Sequence, residues 1–289
     1  MKSLTEYKTY LIKQELSDAT ITVYLRIAKE FLSFIGDRQI DKKIVLGYKK
    51  HMRDAGLAVT TMNQHIIAVN RYLRFCGYSD CLIKTYRVQR KTSLSNVIND
   101  EDYQKLLTYV KNRNDDKYYA IIKTLVLTGI RVSELSYITA ENIGEGHIIV
   151  WNKGKVREIF LPDCLVAILV DYCGRHGITE GCIFRGNTGK PISREAVWGK
   201  LNRMAGKIGI DRKKAHPHSF RHYFALLYLK KFSNLFELAD ILGHASLETT
   251  RMYAVATVED KRQRMGQLDL CGVDEIQYSE KNVKKFLEK

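Results

Sequence analysis

The sequence predicts a mainly α-helical protein of two domains, a small four-helix bundle followed by a mixed α+β domain. Three observations carry this. A chain of 289 residues has the length of two ordinary domains. Apolar residues recur at helical spacing through the first eighty positions, where no strand alternation is seen. Alternating segments, "HIIVW" and "VREIFLP", come only after residue 146, so the strands belong to the second domain. With prolines only at 162, 191 and 217, helices can run long.

The first helix starts after Ser3, which with Glu6 fits a capping box, and Leu4, Tyr7 and Leu11 form its apolar stripe. A second follows Ser17, places Ile21, Tyr24, Ala28, Phe31 and Ile35 on one face, and stops at Gly36. A third spans about Lys42 to Ala55 and stops at Gly56. The fourth starts near Thr60 or Thr61 and runs through Ile66, Val69 and Leu73 to Gly77. Four amphipathic helices with short joints make a bundle. Residues 83–98, "IKTYRVQRKTSLSNVI", lack helical periodicity, and Lys84, Arg87, Arg90 and Lys91 stand there unopposed by any acid. The segment reads as a basic interdomain linker, either touching phosphate or simply solvated.

Asn99 with Asp102 caps the first helix of the second domain, near 100–111. Another spans about 117–128, breaks at Gly129, and a short helix resumes in "RVSELSYI". "HIIVW", "NKGK" and "VREIFLP" make a β-hairpin with a glycine turn. Pro162 opens a helix through Leu165, Ile168 and Tyr172, and "CIFR" is a candidate short strand. Ser193 caps a helix to about Lys207, Pro217 suits the first turn of the next, and Asn234 with Glu237 starts one that stops at Gly243. The tail "VDEIQYSEKNVKKFLEK", residues 273–289, can place Ile276, Val283, Phe286 and Leu287 on one helical face. A helix of that length is marginal alone and must dock on something. The expected boundaries are 1–82 for the bundle, 83–98 for the linker, 99–271 for the second domain and 272–289 for the tail.

Charge narrows the function. Lys and Arg number 47 against 32 Asp and Glu, a net of +15, so a polyanion is the expected partner and nucleic acid the usual one. Residues 1–98 hold 17 basic and 8 acidic side chains, a surplus of nine, and the remainder holds 30 and 24, a surplus of six. The six cysteines form no C-x-x-C pair, which speaks against a zinc ribbon or a disulfide framework. No run of eighteen apolar residues suits a membrane, and the charged N-terminus has no apolar core of a secretory signal. The expected location is the cytoplasm, among bacterial DNA.

Three stretches concentrate the chemistry. In "TGIRVSEL", residues 128–135, Arg131 follows a glycine break and reads either as a paired structural residue or as an anion ligand. In "HPHSFRHYF", residues 216–224, His218 and Arg221 are three apart and share a helix face. Arginine's fork suits phosphate, and histidine adds a donor or a proton carrier. His218 and His222 are four apart, which could also bind a metal, but no third ligand accompanies them; His222 is expected to be a hydrogen-bonded core histidine. In "LGHASLETTRMYA", residues 242–254, Tyr253 follows His244 by nine positions. With Lys153 on the hairpin, these form a set of donors around one possible nucleophile. Two arginines can neutralise charge developing on nonbridging phosphate oxygens, and a lysine on a hairpin tip can protonate a leaving alkoxide. No carboxylate cluster is available to hold magnesium, so the set points to phosphoryl transfer through a phosphotyrosine, with no metal and no cofactor.

With these stretches in this order and at this spacing, the chain resembles the tyrosine recombinases, or phage-integrase family, of Xer-like or simple integrase type. The resemblance covers nearly the whole chain. It implies a helical core-binding (SAM-like) domain followed by a catalytic domain of the tyrosine recombinase type, which together clamp duplex DNA. It also implies that Arg131 and Arg221 bind the scissile phosphate and that Tyr253 attacks it, leaving a 3′-phosphotyrosyl link and a free 5′-hydroxyl. His218 and His244 would assist in proton transfer and phosphate contact. Lys153 would be the general acid, with Lys155 as the fallback, because the family's "GKG" turn stands here as "NKGK". A homo-tetramer on synapsed double-stranded DNA is implied, its tails packed into neighbouring protomers, with a monomer or weak oligomer in the free state. The rivals are a type IB topoisomerase, a DNA-binding protein without catalysis, and a metal phosphohydrolase built on His216, His218 and His222.

Overall fold

The structure, a computed structural model, describes residues 3–88, 96–152, 155–243, 250 and 253. The chain divides into two compact units, residues 1–92 and 93–289, each with its own apolar core.

The described residues of the first unit form four α-helices, α1 (Leu4–Lys13), α2 (Asp18–Ile35), α3 (Lys42–Asp54) and α4 (Val59–Cys76), and a 3-10 turn at Ser79–Cys81. Ser3 and Glu6 form the reciprocal capping box at α1, and the Ser17 and Asp41 side chains accept from the third N–H of α2 and α3. The core between them is Tyr7, Leu11, Ile27, Phe31, Val45, Ile66, Val69 and Leu73. α4 begins at Val59, ahead of the expected threonines, because its cap is Ala58, whose side chain makes no hydrogen bond and leaves no mark in the sequence.

The first residues of the expected linker are fastened rather than loose. Asn70 accepts from the Ile83 N–H at 3.0 Å and donates to the Ile83 carbonyl at 2.8 Å. Asn63 repeats this with Tyr86, at 2.7 and 2.9 Å. Lys49 donates to the Lys84 carbonyl at 2.6 Å and lies 4.0 Å from the Tyr86 ring centre. Two asparagine amides thus do for residues 83–86 what a neighbouring strand would. Lys84 and Arg87 keep exposed side chains; Arg90 and Lys91 lie outside the described residues.

The second unit contains α5 (Asp100–Asn112), α6 (Asp116–Thr128), the hairpin β1 (His147–Asn152) and β2 (Lys155–Phe160), then α7 (Asp163–His176), α8 (Arg194–Lys207), α9 (Pro217–Phe232) and α10 (Leu235–Leu242). α5, α7 and α9 pack around α6, whose Ile121, Ile122 and Leu125 are fully buried. β1 and β2 are antiparallel, with Val150 opposite Arg157 and Asn152 opposite Lys155. The short helix expected in "RVSELSYI" is present as a 3-10 helix, Val132–Tyr137, and the Glu134 carboxylate accepts from the Arg131 N–H at its start. One detail differs from the sequence reading. "CIFR" forms no strand; the isolated bridges Thr139–Cys182 and Arg185–Pro191 stand in its place. The tail, residues 272–289, lies outside the described residues.

The clamps have a measurable energetic role. Asn70→Ala would leave the Ile83 N–H and C=O without partners, at a cost of about 1–3 kcal/mol. Both tryptophans, Trp151 and Trp198, belong to the second unit. In urea, the variant's far-UV circular dichroism transition is therefore expected to start earlier while its tryptophan fluorescence transition stays put. Coincident shifts in both signals would show that the clamp does not act on the first unit alone.

Candidate active site

The site grows from the end of α6. Gly129 closes that helix at φ +60°, a conformation that suits glycine. A Cβ there would lie 2.4 Å from the Phe224 ring on α9. This close approach lets the Gly129 carbonyl accept from Arg221 Nη1 at 2.7 Å. Arg221 Nη2 donates to the Leu242 carbonyl at the end of α10. Two helix C-termini, each carrying partial negative charge, therefore hold one guanidinium that is 1 % exposed. Burial, then the fields of Arg131 and Arg157, lower its pKa to about 9, so it stays charged at neutral pH.

Arg131 begins the 3-10 turn that follows. Its backbone N–H and guanidinium donate to the two Glu134 oxygens at 2.8 and 3.0 Å, and its Nη2 reaches the Gly243 carbonyl at 3.3 Å. Arg157 on β2 meets the same carboxylate and donates to the Ile241 carbonyl at 2.5 Å. Gly243 is also sterically required, since a Cβ there would lie 2.5 Å from Arg157 Cδ. Glu134 is fully buried. Burial opposes its ionisation, yet Arg157 and Arg131 hold the carboxyl below its ordinary range.

α9 presents the remaining groups. Pro217 occupies its first turn, and the ring of His216 caps it, accepting from the Ser219 N–H at 3.1 Å. Ser219 Oγ accepts from the Ile98 N–H at 2.9 Å, and the Tyr223 hydroxyl donates to Asp100. These contacts fix the helix against the start of α5. His218 lines a cleft of about 760 Å³ with Ile130, Arg131, Arg194, Trp198 and Arg221. Burial, Arg221, His216 and Arg131 all push its pKa down, so it is neutral at pH 7. One turn on, the His222 ring lies edge-on to His218, with centres 4.3 Å apart. Its Nδ1 is hydrogen-bonded to the Tyr253 hydroxyl. Tyr253 is 6 % exposed and packs on Ala225, Leu238 and Leu242. Burial raises its pKa to about 12 against the opposing pull of Arg221.

The structure thus brings Arg131, His218, Arg221 and Tyr253 together. Lys153 and His244 lie outside the described residues, and Lys84 and Arg87 belong to the other unit. Sequence reasoning missed three members. Glu134 was legible as the acid three residues after Arg131. Arg157 was legible by strand parity, since it alternates inward with the buried Ile159 while Val156 and Phe160 face out. His222, expected in the core, is half-buried and meets the phenol. Among the described residues, no three His, Cys, Asp or Glu side chains gather where they could hold a metal, and no helix is long and apolar enough to cross a membrane.

The phage integrase family pattern matches residues 96–260, and that of the phage integrase N-terminal SAM-like domain matches residues 4–76. The chain belongs to the phage integrase family. It is 25 % identical over 288 residues to tyrosine recombinase XerD of Staphylococcus aureus (strain Mu50), covering 91 % of this chain and 97 % of the relative. Among solved structures, the integrase of transposon Tn1549 in complex with a circular intermediate DNA matches with a TM-score of 0.73 and 19 % identity, covering 93 % of this chain and 100 % of that one. A lambda integrase tetramer bound to a Holliday junction matches at 0.68 and 17 %, covering 86 % and 75 %. These likenesses establish the mainly α integrase fold.

Glu134 should be the electrostatic keystone of this unit. Removing the carboxylate leaves the largely buried Arg157 and the half-buried Arg131 without their shared counter-charge, a loss of about 3–5 kcal/mol. Because the folded carboxyl titrates below its ordinary value of 4.5, its contribution is complete above that pH and fades as pH falls through the folded value. Urea unfolding read by tryptophan fluorescence should show Glu134→Gln strongly destabilised at pH 7, with the gap to wild type narrowing in acid. A gap independent of pH would exclude the charge as its source.

Proposed function

We propose that this protein is a tyrosine-type site-specific DNA recombinase, which cuts and rejoins duplex DNA through a 3′-phosphotyrosyl intermediate. The observation that carries this is the position of Tyr253. A phenol sits under the influence of a buried arginine, hydrogen-bonded to a histidine on the helix that also gives His218 and Arg221 to the cleft. Membership of the integrase family supports the same reading.

In this mechanism a DNA phosphodiester enters the cleft, and Arg131 and Arg221 bind its nonbridging oxygens. Both are fixed in advance by carbonyls and Glu134, so they stabilise developing negative charge without rearranging. Tyr253 Oη bonds to phosphorus as the bond to the 5′ oxygen breaks. Lys153 protonates that oxygen, and His218 with His244 hold the phosphate and pass protons. The phosphotyrosine keeps the energy of the broken bond, so a 5′-hydroxyl from another strand reseals the DNA without ATP or metal. The N-terminal unit and the basic residues Lys84, Arg87, Arg90 and Lys91 grip the duplex. Four protomers act on two synapsed sites, with residues 272–289 reaching a neighbouring copy, and the protein works in the cytoplasm. The SAM-like match over residues 4–76 favours recombination over a type IB topoisomerase.

Tyr253→Phe tests the reading. Fragments of the DNA flanking the gene are incubated with the protein and run on denaturing gels. Wild type should leave a covalent complex and the variant none, with equal gel-shift binding; a covalent complex with the variant would move the nucleophile elsewhere. Arg131→Ala should slow cleavage by about a hundredfold or more, as the loss of ~3 kcal/mol of transition-state stabilisation requires. Equal losses in binding and rate would mean that Arg131 only holds DNA.

A further inference from the structure

We propose that His222 is the base that takes the proton from Tyr253 as the phenol attacks DNA. The inference rests on the reading of Tyr253 as the nucleophile and assigns a step that the arginines, His218 and the hairpin lysine leave open.

Among the described residues, the geometry singles out one acceptor. The Tyr253 hydroxyl is hydrogen-bonded to His222 Nδ1, with ring centres 5.3 Å apart. A base must lie within hydrogen-bond reach of the proton it removes, and this contact already meets that condition. His218 lines the phosphate cleft with Arg131, Arg221 and His216, and its ring meets the His222 ring rather than the phenol. Glu134 is taken up by Arg131 and Arg157. Burial holds the phenol firmly protonated at neutral pH, so attack has to be coupled to proton removal.

His222 follows Arg221, one of the two arginines that bind the phosphodiester in the proposed reaction, so the base and the phosphate site share one helix. His222 accepts the proton as Tyr253 attacks. The balance closes: the Oη–H proton moves to Nδ1, the Oη–P bond forms, the bond from phosphorus to the 5′ oxygen breaks, and that oxygen is protonated from the leaving side. On resealing, the imidazolium returns its proton to Oη.

Two full-chain variants separate proton transfer from mere positioning. His222→Asn keeps an accepting oxygen near the place of Nδ1 but cannot take a proton; His222→Ala removes both. The probe is a nicked duplex built on the cleavage site that wild type marks by covalent capture, with either a normal phosphodiester or a sulfur in place of the bridging 5′ oxygen. Sulfur leaves without a proton. Both variants should bind like wild type and cleave about 10²–10⁴-fold more slowly. The sulfur substrate should not relieve that defect, though it should relieve Lys153→Ala. Wild-type cleavage by His222→Asn would overturn the proposal, as would relief by sulfur. Loss of folding or DNA binding in the near-isosteric Asn variant would assign His222 a structural role instead. If Tyr253→Phe still captured DNA, the reading of the nucleophile would fail; if only the His222 variants captured it normally, this inference alone would.

Discussion

A buried guanidinium with no carboxylate paired to it among the described residues sets the design of the second unit. Arg221 is held by the carbonyls of Gly129 and Leu242, so the ends of α6 and α10 must converge on it to within hydrogen-bond length. That demand propagates. α6 has to turn left-handed at Gly129 under the Phe224 ring, and α10 has to turn left-handed at Gly243 against Arg157. Each glycine is needed both for its φ and for the missing Cβ. Arg131 and Arg157 then close over the same junction through the Gly243 and Ile241 carbonyls. Three positive groups stay together because backbone dipoles and Glu134 together offset their repulsion.

Much of this was legible in the sequence where a side chain does the work locally. Ser3, Ser17, Asn99, Ser193 and Asn234 each mark a helix start, because the capping atom belongs to the residue one reads. α4 was placed late because a helix capped by Ala58 announces nothing. "CIFR" looked like a strand because its apolar residues are buried, but Ile183 and Phe184 are buried by packing, with only single bridges beside them. The fastened residues 83–86 were also hidden, since their partners, Asn63 and Asn70, lie on α4 and signal only in three dimensions.

The site divides along the same line. Arg131, His218, Arg221 and Tyr253, which the structure brings together, could be gathered from motif spacing. Arg157 and Glu134 each carry a local signal, but their pairing needs the fold, because this ion pair between a strand and a 3-10 helix spans 23 residues of sequence. His222 reads as a hydrogen-bonded core histidine, and its ring is hydrogen-bonded but only half-buried; what the pattern cannot supply is that the partner is Tyr253. The broad surplus of +15 is a separate matter. It acts over a Debye length and draws the polyanion in, whereas the guanidiniums of the junction act at contact.

The asparagine clamps carry a consequence for how this protein can change in length. Asn63 and Asn70 are seven helical residues apart, a rise of about 10.5 Å. Their partners Tyr86 and Ile83 are three extended residues apart, about 10 Å. Helix and extended segment are thus two scales that coincide at two marks and run in opposite directions. One residue inserted or deleted between the asparagines would shift the helical scale by about 1.5 Å and turn it by about 100°, and one between Ile83 and Tyr86 would shift the extended scale by about 3.3 Å. Both marks could not then meet at once. Substitutions can accumulate here freely by comparison, but the count of residues between these positions is locked, a constraint written in spacing rather than in composition.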